Sequence, residues 1–279
     1  MGIRHGTGEL CFVNPALTGR LPSDDAQAWQ ALCGDWGFPL WGGGKTWVAP
    51  EIDWPEGAPQ RDLDSGAYAV LESWCDGVSM GIELQSGICR QSHLQIRRRI
   101  EVPFGGSAWT VTHTLTNCGA AARLCGIWDV LMLRRPAEVY FTGEQGSTRD
   151  WRGAVHPVPG KGPISDIFAT DIVTGGDGDL QVRCVEAVEY KIGIDSDSGE
   201  VMADLTLPEG RFRYRRTSQI HAGARYAHGH PLEVFNSPIL PYFEIETHSP
   251  LALIPPGQRI TYTVHEEAAA IDIGRSSAP

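Results

Sequence analysis

Residues 109–117 read WTVTHTLTN, and the alternation in this stretch decides the fold class. Trp109, Val111, His113 and Leu115 fall on one side of an extended chain, opposite a row of threonines. Side chains of a strand alternate between faces with a period of two, so this pattern predicts a strand with one face towards a core. The same reading applies to HLQIRRRIEV (93–102). There Leu94, Ile96, Arg98 and Ile100 oppose His93, Gln95, Arg97 and Arg99. In YFEIETH (242–248), Phe243, Ile245 and Thr247 oppose Tyr242, Glu244, Glu246 and His248. YKIGID, RFRYRR and RITYTVHE follow suit.

Between these runs, 33 glycines and 19 prolines punctuate short segments throughout the chain. The best helical candidate is SDDAQAWQALCGDW (23–36), with a serine or aspartate cap ahead of apolar spacing. Helices do not alternate with strands, so the expectation is an all-β antiparallel sandwich or barrel. The 279 residues are expected to form a single domain, with 270–279 as a mobile tail.

A formal charge of −11 argues against nucleic-acid and anionic-membrane partners, because both need a cationic surface. The arginines of IRRRI (96–100) read as a strand and its surroundings rather than a phosphate-binding patch. No apolar run is long enough to cross a bilayer, and no signal peptide is evident. Seven scattered cysteines without a CxxC pair suggest neither a disulfide framework nor a zinc knuckle. A reducing cytoplasm is the expected compartment.

WGGGKTWVAPEIDWP (41–55) contains GKT, the end of a phosphate loop. The glycine that loop requires five residues earlier is replaced by Pro39, and the two prolines downstream do not start a helix. Its glycines are expected to turn the chain at a sandwich rim. HGHPLE (228–233) is one residue short of a cupin-like metal pattern, so His228, His230 and Glu233 are a metal alternative, and no metal or other cofactor is expected. Glu244 and Glu246 share a face, which meets either solvent or a polar cleft. Two like charges there raise one pKa towards that of a general base.

Taken in order, PALTGRL (15–21), WGGGKTWVAPEIDWP, THTLTN (112–117), YKIG (190–193) and PYFEIETHSPLALIPPGQRITYT (241–263) resemble the galactose mutarotase-like superfamily, and within it the bacterial DUF4380-type branch. That resemblance implies a β-supersandwich of two large antiparallel sheets with a carbohydrate site on a concave face. It also implies mutarotation or epimerisation, in which a glutamate takes the anomeric proton and a histidine serves the ring oxygen. Glu246 matches the glutamate, and Arg20 matches an arginine that lines epimerase sites. The regions matching the two epimerase histidine motifs read DSGAYAV (64–70) and GIWDVLM (126–132), without histidine. The acid then falls to His113 or His93.

The expected substrate-binding residues are Arg20, Lys45, Trp47, Trp54, Glu244, Lys191 and His248, with indole faces for C–H groups and charged groups for hydroxyls. The expected partner is a small-molecule sugar or sugar derivative, with a homodimer as the candidate assembly. A non-catalytic carbohydrate-binding module and a sugar lyase are the alternatives.

Overall fold

The computed structural model describes residues 2–142, 151–158, 167–175 and 179–271. Two antiparallel sheets face each other. The larger has ten strands in the spatial order Val173–Gly175, Asp179–Cys184, Ala137–Thr142, Glu200–Leu207, Gly210–Ser218, Arg259–Ala270, Ala108–Asn117, Leu94–Pro103, Ser79–Ser86, Tyr68–Cys75. The other has seven. Val155–Pro157, Tyr190–Ile194, Leu232–Asn236, Tyr242–His248 and Arg123–Arg134 are neighbours in that order. Ala252–Ile254 and Gly43–Ala49 also pair with Arg123–Arg134. Among the described residues no helix is long and apolar enough to span a membrane. The two-sheet sandwich expected from the alternation is present. The proposed tail lies outside the described residues, apart from Ala270, which ends a strand, and Ile271.

The alternation read at 109–117 is realised within Ala108–Asn117. Val111, His113 and Leu115 are buried and the intervening threonines are half-buried. The helix candidate shortens to Ala26–Cys33, capped by Asp25, whose carboxylate accepts from the Ala28 N–H at 2.8 Å. WGGGKTWVAPEIDWP departs from the expected turn: Gly43–Ala49 is a strand, buried along its whole length. The tight bend sits just before it. Gly42 has φ 87°, and a Cβ there would come within 2.1 Å of the Phe12 carbonyl oxygen.

Aliphatic and aromatic side chains such as Val139, Phe141, Ile192, Val234 and Phe243 fill most of the space between the sheets. One polar cluster interrupts them. Arg216, from the ten-stranded sheet, donates to Glu266 of its own sheet at 2.7 Å. It also donates to Asp129 and, at 3.1 Å, to the Ile245 carbonyl of the facing sheet. His113 joins through Thr46 Oγ1, 3.0 Å from its Nδ1, and lies 3.5 Å from Asp129. Burial opposes the charge on Asp129, but Arg216 and His113 outweigh it and hold the carboxyl far below the usual range.

Removing one member of a buried ion cluster strands the others, at a cost of about 3–5 kcal/mol. Arg216→Met is expected to lose that much in urea unfolding. Adding Asp129→Asn and Glu266→Gln to it should restore part of the loss, because no unpaired buried charge then remains.

Candidate functional site

The central strands of the seven-stranded sheet are buried on both faces. Tyr242–His248 is enclosed along its full length, although its outer row is polar. Of the two expected surroundings for Glu244 and Glu246, solvent or a polar cleft, solvent is the one that does not apply. Strand parity sorts the residues. Glu246 stands opposite Val130, which stands opposite Lys45. Glu246 also stands opposite Glu233, and Glu233 opposite Gly193. Directly paired residues project to the same side. The outer face therefore collects Lys191, Glu233, Glu244, Glu246, His248, Trp128, Lys45 and Trp47. Asp129 and Thr247 project the other way, into the space between the sheets.

Around Glu246 the contacts are short. Lys191 Nζ donates to Glu246 at 2.8 Å and to Glu233 at 2.9 Å. The Trp128 indole N–H donates to the same Glu246 oxygen at 2.7 Å, and its ring lies 4.6 Å from the Lys191 ammonium. His228 Nδ1 is 2.9 Å from Glu233, and His248 Nε2 is 3.3 Å from it. Trp54 and His248 both stack on Trp128, with ring centroids 5.3 and 5.4 Å apart respectively. The residues 219–231 connection brings His228 edge-on to Trp128.

Burial pushes Glu246 up to about 7; Lys191 opposes the rise and the charge of Glu233 adds to it. Burial acts the same way on Glu233, but there Lys191, His248 and His228 overcome it and hold the group well below the usual value. Two carboxylates sharing one ammonium thus titrate apart. Burial disfavours charge on Lys191, yet both glutamates keep it protonated. Burial also lowers His248. Among the described residues, Glu246 Oε1, His228 Nε2 and His248 Nδ1 are buried without a hydrogen-bond partner.

Of the predicted residues, Glu246, Glu244, Lys191, His248, Lys45 and Trp47 share the outer face, and Trp54 packs onto it. Lys45 stands two strands from Glu246, about 10 Å away. It pairs with Asp64 at 2.9 Å, and the Trp47 indole donates to the same carboxylate oxygen at 2.8 Å. Arg20 lines a cleft of about 440 Å³ beside that edge strand, together with Trp41, Lys45, Asp64, Tyr68 and Arg98.

His113 does not join Glu246. It contacts Asp129 between the sheets, and the sheet itself separates the two groups. His93 is exposed at φ 56° in the turn before Leu94–Pro103, where the period-two reading had placed it on a strand face. Trp128 was not singled out as a site residue, and Glu233 and His228 were singled out only as part of a metal alternative. The register partner of Glu246 is the signal for Glu233, and it emerges only when strands are paired. His230 leaves His228 and Glu233 and turns to Asp195, so HGHPLE is not one metal site.

No protein-family model matches the chain, and no curated protein matches its sequence. Solved structures do match in shape. A candidate mutarotase from Salmonella typhimurium aligns with TM-score 0.55 and 9% identity over 94% of this chain and 81% of its own. A Synechocystis sp. PCC 6803 protein aligns with TM-score 0.50 and 10% identity over 95% of this chain and 86% of its own. A candidate aldose 1-epimerase from Escherichia coli K12 aligns with TM-score 0.47 and 13% identity over 80% and 75%. The fold is galactose mutarotase-like.

Glu246 binds its proton more tightly folded than unfolded, because its pKa rises from 4.5 to about 7. Its contribution therefore favours the fold below pH 4.5 and is lost as pH rises to about 7. Urea midpoints should show wild type losing stability relative to Glu246→Gln across that window, by on the order of 3 kcal/mol. A difference that stays flat with pH would contradict the raised pKa.

Proposed function

We propose that the protein transfers protons to and from a sugar or sugar derivative, interconverting its anomers or epimers, with Glu246 as the group that takes the anomeric proton. The observation that carries this is the convergence of unpartnered buried acid–base atoms, on Glu246, His248 and His228, around a single ammonium. Buried polar atoms without partners are rare in folded proteins and concentrate where chemistry is done. A carboxyl titrating near 7 can both accept and return a proton at neutral pH.

Mutarotation removes one proton from the anomeric hydroxyl and delivers one to the ring oxygen; reclosure reverses both, so the residues end unchanged. His248 replaces His113 as the partner at the ring oxygen, because it shares the face of Glu246. Lys191 stabilises negative charge as the hydroxyl loses its proton. Trp128 and Trp54 supply apolar faces for the sugar's C–H groups. Glu246 is wholly enclosed, so this reading requires residues 219–231 to swing aside for substrate. The candidate mutarotase among the structural matches agrees with this class of chemistry. The finer placement in the DUF4380-type branch rests on the quoted motifs alone.

The enclosure of Glu246 favours a second reading, sugar binding without turnover. The Arg20–Lys45–Arg98 cleft is open and of a size to hold a small sugar.

Anomer exchange followed by NMR across an aldose panel separates the two. The catalytic reading expects acceleration above the spontaneous rate, lost by about 100-fold or more in Glu246→Gln. An accelerated rate unchanged in that variant would remove Glu246 as the base. Saccharide binding that Arg20→Ala abolishes, with no acceleration by wild type, would establish the binding reading instead.

A further inference from the structure

His230 and His156 meet over Asp195 at the far end of the same sheet face. His156 lies on the edge strand Val155–Pro157, Asp195 just follows Tyr190–Ile194, and His230 just precedes Leu232–Asn236. Three neighbouring segments therefore deliver one side chain each to a single corner. His230 Nδ1 lies 2.8 Å from one Asp195 oxygen, and His156 Nε2 lies 3.2 Å from the other. The two imidazoles stack nearly parallel, with centroids 4.7 Å apart and planes 13° apart. All three donor atoms lie within 4.8 Å of one another.

The backbone is shaped to allow this. His156 pairs with Gly193, and a Cβ at that glycine would come within 2.1 Å of His230 Cδ2. A larger residue at 193 would push the His230 ring off its stack. Gly229, at φ 92°, lets the chain turn between the two histidines of HGH. His228 then points to Glu233 while His230 points to Asp195.

We propose that His156, Asp195 and His230 form a binding site for a divalent transition-metal ion such as zinc. Two imidazole nitrogens and one carboxylate, each about 2.0–2.2 Å from the ion, form a three-ligand set that leaves a coordination position open. The side chains of His156 and Asp195 are 42% and 45% exposed, so an ion can enter and the open position faces solvent. The neighbouring trio His228, Glu233 and His248 also has suitable donors, but the Lys191 ammonium stands 2.9 Å from Glu233 and repels a dication there. The site is independent of the sugar-active reading.

The test uses the full chain without a histidine tag, stripped with chelator and titrated with zinc chloride by calorimetry. Wild type should bind one ion per chain with micromolar or tighter affinity. His156→Ala and His230→Ala should each weaken binding by about tenfold or more, while His228→Ala leaves it intact. Cobalt substituted for zinc should show visible absorption bands that His230→Ala removes. The His156→Ala and His230→Ala variants should keep the metal-free melting temperature of wild type, which separates ligand loss from unfolding. Absence of saturable binding would overturn the proposal, as would binding that survives both variants or is lost in His228→Ala.

Discussion

The guanidinium of Arg216 holds the sandwich in register. It is buried between two sheets and reaches carboxylates on both, one beside it on its own sheet and one across the gap. A charge so placed is tolerable only if it is paired, and its partners are tolerable only with it there. The Arg216–Asp129 pair therefore sets how the two sheets face each other. His113 and Thr46 extend the polar contact, and Trp109 donates its indole N–H to Glu266. The aliphatic core closes around this cluster.

That alignment has a consequence on the opposite side of the seven-stranded sheet. If Asp129 and Thr247 face inward, Glu246 and His248 must face outward, because neighbours along a strand point to opposite sides. The sheet thus carries two buried charged groups back to back. The inner one sets Arg216 between two carboxylates, one on each sheet, and ties the sheets together. The outer one sets Lys191 between two carboxylates, and there burial, with the charge of Glu233 adding to it, lifts Glu246 towards neutrality. The same strand contributes to both through adjacent residues. A structural role on one face and proton chemistry on the other are separated by the thickness of one backbone.

Much of this architecture was legible in the sequence. The period-two pattern at 109–117 identified a half-buried strand, and the Asp25 cap before an apolar run marked the helix. The phosphate-loop reading of GGGKT failed for want of a preceding glycine and a following helix, and the segment is a strand. Buried strands are harder to read. Gly43–Ala49 is enclosed on both faces, so it lacks the alternation that betrays an amphipathic strand, and its glycines mimic a turn. Glu244 and Glu246 looked like a solvated or cleft-facing row because local sequence does not reveal a cover supplied by residues 219–231.

By itself the sequence determined that the chain is all-β and antiparallel, that Glu246 and His248 share a face, and that His113 lies among apolar neighbours. These follow from period and composition, which are local. Only the tertiary structure decided that Glu233 stands opposite Glu246, that Lys191 bridges them, and that His113 belongs to the other side of the sheet. It also separated His228 from His230. Each of these depends on which strands pair and in what register, and that is settled by packing between residues far apart in the chain.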